Sequence, residues 1–186
     1  MKASHKRKIE SGKEFDYLFP KAEGKEIMLK WDANVWDTLD EIPRIVYETL
    51  NDTKKLAKNL KADTLNETCK NIWDFVYHHI QYQHDEEGTE QLRRPSRSWM
   101  DRVRGVDCDC YTVFISSILT NLNIPHTYRI AKYKHKTYYQ HIYPIVPTTN
   151  GSYITIDCVV DKYDYEEPFT QKHDTPMNLS YLNGTD

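Results

Sequence analysis

Residues 104–122 read Arg-Gly-Val-Asp-Cys-Asp-Cys-Tyr-Thr-Val-Phe-Ile-Ser-Ser-Ile-Leu-Thr-Asn-Leu, a polar start passing at once into an apolar run of helix length. Val113, Phe114, Ile115, Ile118, Leu119 and Leu122 occupy more than one side of a 3.6-residue helix. That pattern belongs to a helix buried over most of its surface. Asn123-Ile124-Pro125 ends it, since proline cannot extend the backbone hydrogen bonding. Beyond it the period changes. Residues 126–133, 140–146 and 153–160 are short β-rich runs, the last two separated by turn-forming residues. Helices first and antiparallel strands afterwards predict an α+β fold, its helical N-terminal half packed on an antiparallel sheet.

Upstream of the central run the period is helical. Trp36, Leu39, Ile42, Ile45, Val46 and Leu50 recur at helical spacing, and Leu56 and Leu60 continue it. Pro43 fits a first turn, where its missing N–H is harmless. Thr64-Leu65-Asn66-Glu67 is a capping box that opens a helix to about Tyr82. Leu65, Cys69, Ile72, Trp73, Phe75, Val76 and Ile80 fall on or near its inner side, which makes Cys69 a packed thiol. Residues 83–105 read as a long charged connection with arginines at 93, 94, 97, 102 and 104. Connections of this length without structure of their own are often functional. Arg93, Arg94 and Arg97 are therefore candidate substrate-binding residues, with ion pairing to Asp85, Glu86, Glu87 and Glu90 as the alternative. Residues 1–24 form a polar, loosely ordered arm whose island Phe15–Pro20 could dock on the body; its basic start could meet an acidic assembly partner.

At 186 residues and 22.1 kDa the chain suits one domain, here 25–186, behind the arm. Hydrophobic residues at 39% and aromatic residues at 12% exclude a disordered chain. A net charge of -3 and a pI near 6.2 give no reason to expect nucleic acid or an anionic membrane. No apolar run approaches the roughly 18–20 residues of a membrane span. The start of the chain lacks the apolar segment of a secretory signal, so a cytoplasmic, reducing location is expected. Cys69, Cys108, Cys110 and Cys158 should then be free thiols.

The chemistry gathers around two of them. Asp107 is a good N-cap, which makes Cys108 the first helical residue. The helix dipole and free N–H groups there favour a thiolate and could help hold an oxyanion. Asp107 and Asp109 oppose that thiolate, so activation needs a protonated histidine. Cys110 is about 200° further around the helix. Only one sulfur can face a given cleft; position one favours Cys108. A Cys-x-Cys metal site with His141 is disfavoured, because the sulfurs diverge and no second close pair of ligands exists. No metal and no cofactor are expected.

Of eight histidines, His5, His84, His135 and His173 lie in polar stretches, His78 and His79 on the capped helix and His126 at a strand start, but His141 occupies a β-run and shares a face with Tyr143 and Ile145. Asp157 sits in the next run between Ile156 and Cys158. A carboxylate there requires a partner. Pairing His141 with Asp157 across an antiparallel hairpin centres the turn on Thr149, beside the strong turn signal Asn150-Gly151. A cysteine at a helix start with a neighbouring His–Asp pair is the layout of nucleophile, base and orienting acid. A structural His–Asp pair with inert thiols is the alternative.

Gly105-Val-Asp-Cys-Asp-Cys-Tyr111 opening an apolar helix, Asn123-Ile-Pro125, His141 on a strand and Ile156-Asp157 on the next together resemble the transglutaminase-like superfamily of papain-like cysteine enzymes. The resemblance covers about residues 64–161. Tyr82, Asp85, Gly88 and the Arg94-Pro-Ser-Arg-Ser-Trp99 segment resemble its bacterial and phage branch. It implies Cys108 as nucleophile, His141 as general base and acid, and Asp157 as the residue orienting His141. Val106, between the glycine and Asp-Cys, and Cys110, where a second aspartate is common, depart from the pattern. Trp99 and Gln81 are candidate oxyanion or cleft residues, with a loop anchor and a helix-surface residue as their plainer readings. The implied function is a peptidase-like hydrolase acting on a protein or peptide through a thioester. Glutamine transamidation or deamidation is an alternative; so is a non-catalytic assembly module, virion-associated if phage-encoded.

Overall fold

The computed structural model describes residues 6–22, 27–31, 35–85, 89–134 and 136–179. The arm's first five residues, Glu86, Glu87, Gly88 and His135 lie outside the described residues. Helix α5 (Cys108–Asn121) is buried from Cys108 through Thr120. Around it pack α1 (Val35–Glu48), α2 (Lys54–Leu60), α3 (Leu65–His79), α4 (Pro95–Met100) and the strands β2 (Thr89–Arg93) and β4 (His141–Pro147). Several of its polar side chains find partners inside the protein, as burial demands. The Thr112 hydroxyl donates to the Cys108 carbonyl at 2.9 Å, and the Ser117 hydroxyl lies 2.7 Å from that of Thr53.

The capping box forms: Thr64 Oγ1 accepts the Glu67 N–H at 3.2 Å and the Glu67 carboxylate accepts the Thr64 N–H at 3.3 Å. Helix α3 buries Cys69, Ile72 and Val76 completely, whereas Leu65 in its first turn is exposed rather than on the inner side. In α1 the helix starts at Val35, so Pro43 stands in the helix interior and not in a first turn. It leaves the Leu39 carbonyl without its usual helical donor. Trp36 is 45% exposed and does not join the core.

Residues 83–105 are not a structureless connection. Strand β2 pairs antiparallel with β1 (Ile27–Trp31), Arg93 opposite Ile27 and Thr89 opposite Trp31. Pro95 then opens α4 at a position that requires no N–H donor. The N-terminal segment meets the body from Arg7 onward. It makes a 3₁₀ turn at Lys13–Leu18, buries Leu18 and stacks Phe19 on Trp99 at 4.5 Å. Arg7 donates to the Cys158 carbonyl at 2.7 Å and to the Tyr111 hydroxyl at 2.9 Å.

The sheet is antiparallel with order β5-β4-β3-β6, where β3 is Thr127–Lys132, β5 Tyr153–Thr155 and β6 Gln171–Pro176. Alternation divides its faces. Tyr128, Ile130, Ile142 and Val146 join the core, while Ala131, Tyr143 and Ile145 form a second cluster with Tyr133 and Phe169. The third β-run stops at Thr155, earlier than its apolar pattern suggests. Ile145 pairs with Thr155, which centres the turn on Asn150 rather than Thr149. Gly151 takes φ 83° to close it. This α+β architecture sets the N-terminus of α5 beside the start of β4. No helix among the described residues is long and apolar enough to cross a membrane.

Candidate active site

The site begins with the turn before α5. Gly105 has φ 106°, and a Cβ there would lie 2.6 Å from Gln83 Cβ. Only glycine allows so close an approach. The following Val106 N–H donates to the Gln81 carbonyl at 3.0 Å, and its own carbonyl accepts the Gln83 N–H at 3.0 Å. The extra valine of the motif thus stitches the turn to the segment after α3. Asp107 then caps α5, accepting the Cys108 N–H at 2.6 Å, the Tyr82 hydroxyl at 3.0 Å and the Asp85 N–H at 3.1 Å. Burial opposes its charge, but His84 and the two N–H groups hold the Asp107 carboxyl at about 2.

The two neighbouring thiols diverge, as their angular separation on a helix requires. Cys110 Sγ donates to the Gln91 carbonyl at 3.0 Å and receives the Arg93 N–H at 3.4 Å, which fixes it against β2. Burial pushes it up to about 12 despite the Arg93 charge. Cys108 instead borders a cleft of about 640 Å³. Its Sγ donates to Asp109 Oδ1 at 3.3 Å, and the Ile142 N–H bears on the sulfur. Burial, and then Asp107 and Asp109, raise the Cys108 thiol well above its ordinary value. Helix-dipole stabilisation is outweighed, so the resting group is a thiol.

His141 and Asp157 meet. His141 Nε2 lies 2.7 Å from Asp157 Oδ2, with the side chains 2% and 3% exposed. Asp157 Oδ1 accepts the Val159 N–H at 2.9 Å, and its carbonyl accepts the Trp73 indole N–H at 2.8 Å. Both carboxylate oxygens are thereby oriented. The contact arises where the chain has left β5, so strand pairing alone does not produce it. His141 Nδ1 remains the ring nitrogen not engaged by Asp157. No hydrogen bond joins it to Cys108 among the described residues.

The other anticipated site residues lie elsewhere. Trp99 is buried on α4 with its indole N–H on Asp16 Oδ1 at 2.9 Å, stacked on Phe19. It anchors the N-terminal segment. Gln81 is buried rather than on a helix surface, donates to the Tyr82 carbonyl at 3.1 Å and borders a different cavity. The three arginines serve internal ion pairs: Arg93 with Asp101 at 3.3 Å, Arg94 with Asp52 at 2.7 Å, Arg97 with Asp101 at 2.9 Å. Arg93 is 4% exposed. None of the three borders the Cys108 cleft. Residues not singled out in the sequence do: His84, Trp36 and Tyr138. Of the two exposed aromatics, Trp36 read as core from its helical spacing, and Tyr138 falls between two β-runs where no pattern marks it. No cluster of three metal-ligating side chains occurs among the described residues.

Neither characterised proteins nor solved structures gave a match to the chain. A family model described as a transglutaminase-like domain matches residues 51–178. That span runs from the turn before α2 through the end of β6 and holds Cys108, His141 and Asp157 alike. Since it takes in well over half of the sequence, the chain belongs to the transglutaminase-like domain family.

Proposed function

We propose that the protein is a cysteine-dependent amide-bond enzyme, with Cys108 as nucleophile, His141 as base and acid, and Asp157 orienting His141. The observation that carries this reading is the buried His141–Asp157 pair at 2.7 Å, formed by the residue next to the one whose N–H bears on the Cys108 sulfur. A buried carboxylate fixes the imidazole tautomer and favours the imidazolium that proton transfer creates. The raised Cys108 thiol implies that attack starts from the neutral pair. The Sγ–H proton passes to His141 Nδ1 as the S–C bond forms. His141 then returns that proton to the departing amine as the C–N bond breaks. Water, deprotonated by His141, hydrolyses the thioester and restores the thiol. The cleft is walled by Trp36 and the 60% exposed Tyr138, an open setting that favours water over an amine as acceptor.

The rival reading, a non-catalytic module, draws on the resting contact of Cys108 with Asp109 rather than His141. One experiment separates the two. Denatured casein is incubated with the protein, and new peptide ends are read by mass spectrometry, with dansylcadaverine incorporation as a parallel channel for amine transfer. New ends that vanish in Cys108→Ala and His141→Ala support the hydrolase; dansyl incorporation alone supports transamidation. Ends that persist in Cys108→Ala remove Cys108 from the chemistry.

A further inference from the structure

The carboxylates that oppose a thiolate at Cys108 are Asp107 and Asp109. His141 is turned to Asp157, and Asp109 accepts from Thr38 and from the Cys108 thiol itself. Asp107 differs, because a second imidazole stands beside it. His84 Nδ1 lies 3.7 Å from Asp107 Oδ2 and 3.2 Å from the Tyr82 hydroxyl. Tyr82 gives its one hydroxyl hydrogen to Asp107 Oδ1 at 3.0 Å, so the ring is the donor in its contact with Tyr82. Asp107 Oδ1 also accepts the Cys108 N–H at 2.6 Å. The contacts running from His84 through Tyr82 and Asp107 therefore end on the backbone of the nucleophile.

His84 has a side chain 62% exposed and borders two cavities, the Cys108 cleft and a second of about 290 Å³. Asp107 and Asp109 of α5 share the cleft with it, as do Tyr138 and Tyr139 of the 137–140 segment. The second cavity adds Asp85, next in sequence, and the cations Lys6, Arg93 and Arg104. Arg93 is turned to Asp101 at 3.3 Å and Asp85 at 3.8 Å. Asp107 is the carboxylate within ion-pair reach of the ring. It is also the foremost cause that holds His84 above its ordinary value, against the opposing effect of burial.

We propose that protonated His84 is a positioning residue of the site, offsetting the Asp107 carboxylate and so favouring negative charge on the Cys108 sulfur. This role rests on the amide-bond reading above and adds a second histidine to it. His141 takes the thiol proton, and His84 balances the charge at the helix start.

Alkylation of Cys108 by iodoacetamide, in which the S–C bond forms and iodide leaves, tests this on the full chain. The rate is read as modified Cys108 peptide in wild type, His84→Gln and His84→Lys, whose melting temperatures are compared first. Glutamine can still donate to Tyr82 but carries no charge, whereas lysine stays charged across the range. At about pH 5.5, where His84 is charged, wild type should react about fivefold faster than His84→Gln. At about pH 8.5, where the ring is neutral, the two should agree within twofold. His84→Lys should exceed His84→Gln by about fivefold at both values.

A ratio of wild type to His84→Gln that is the same at both pH values overturns the assignment, since a merely structural residue moves both alike. A His84→Lys protein that reacts no faster than His84→Gln overturns it too. Casein ends that persist in Cys108→Ala overturn the amide-bond reading instead, and with it any part of His84 in catalysis, whatever the alkylation ratio.

Discussion

The Cys108 sulfur donates its hydrogen to Asp109 Oδ1, 3.3 Å away on the very next residue, and not to His141. Asp109 in turn accepts from the Thr38 hydroxyl at 3.4 Å, which ties it to α1. The carboxylate therefore acts on the thiol in two ways: it accepts the proton that attack must release and opposes the negative sulfur. Asp109→Asn removes the charge and keeps a side chain of the same shape. Loss of a raising charge moves the Cys108 thiol down, so the thiolate fraction at a fixed pH grows. Alkylation by iodoacetamide at pH 7 is expected to rise about tenfold. A rate unchanged from wild type would show that Asp109 does not restrain the sulfur.

Asp157 offers the complementary change. Asparagine can still accept from His141 Nε2, so Asp157→Asn preserves much of the geometry and removes the charge that supports an imidazolium. On the proposed mechanism, acylation of Cys108 by p-nitrophenyl acetate falls by about 10²–10⁴-fold, as for loss of the orienting carboxylate in such triads. Circular dichroism and the melting temperature report whether the fold is intact. Wild-type acylation in a folded Asp157→Asn protein would reduce the His141–Asp157 pair to a structural hydrogen bond.

Arg129 holds the edge of the sheet. Its side chain is 1% exposed, faces its strand partner Asp174 through two bonds of 2.7 and 2.8 Å, and reaches Glu166 at 2.7 Å. Glu166 also accepts the hydroxyls of Tyr143 and Tyr153, so one carboxylate joins β3, β4 and β5. Removing one partner of a buried pair leaves an uncompensated charge, typically at about 3–5 kcal/mol. Arg129→Ala should lose stability in that range in urea unfolding. Asp174→Ala, at a half-buried position, should lose less. A loss under about 1 kcal/mol in Arg129→Ala would mean that β6 is held by its backbone alone.

These contacts explain why parts of the molecule were legible in the sequence and others were not. The buried helix, the capping box and the face alternation of β3 and β4 rest on local patterns of apolar and capping residues, which are written in order along the chain. Strand β6, Gln-Lys-His-Asp-Thr-Pro, has no apolar pattern and exists because Asp174 meets Arg129 some 45 residues away. Of the arginines of 93–97, Arg93 reaches Asp85 at 3.8 Å, a partner the sequence already offered, and Arg97 pairs with Asp101 one turn on, but Arg94 takes Asp52, which lies 42 residues away and comes close only through packing. Helix angle separates Cys108 from Cys110 and the helix start favours Cys108, but the neighbour that claims Cys110, strand β2, was hidden in an apparently charged loop.

The last prediction concerns pH and lies away from the cleft. His126 is buried, with Nε2 2.7 Å from the Ser116 hydroxyl and Nδ1 2.9 Å from the Ile124 carbonyl. Burial lowers it from 6.5 to about 4, against a small opposing pull from the Ile124 carbonyl. In the folded protein the ring is neutral down to about pH 4, whereas in the unfolded chain it gains its proton near 6.5. The unfolded state then binds more protons between these values, so stability is complete above about 6.5 and is lost as pH falls toward 4. A difference of this size corresponds to about 3 kcal/mol. His126→Gln cannot titrate in that window. Its urea midpoint should be lower than wild type at pH 7 but decline less steeply from pH 6.5 to 4. Parallel decline in the two proteins would assign the acid sensitivity to other groups.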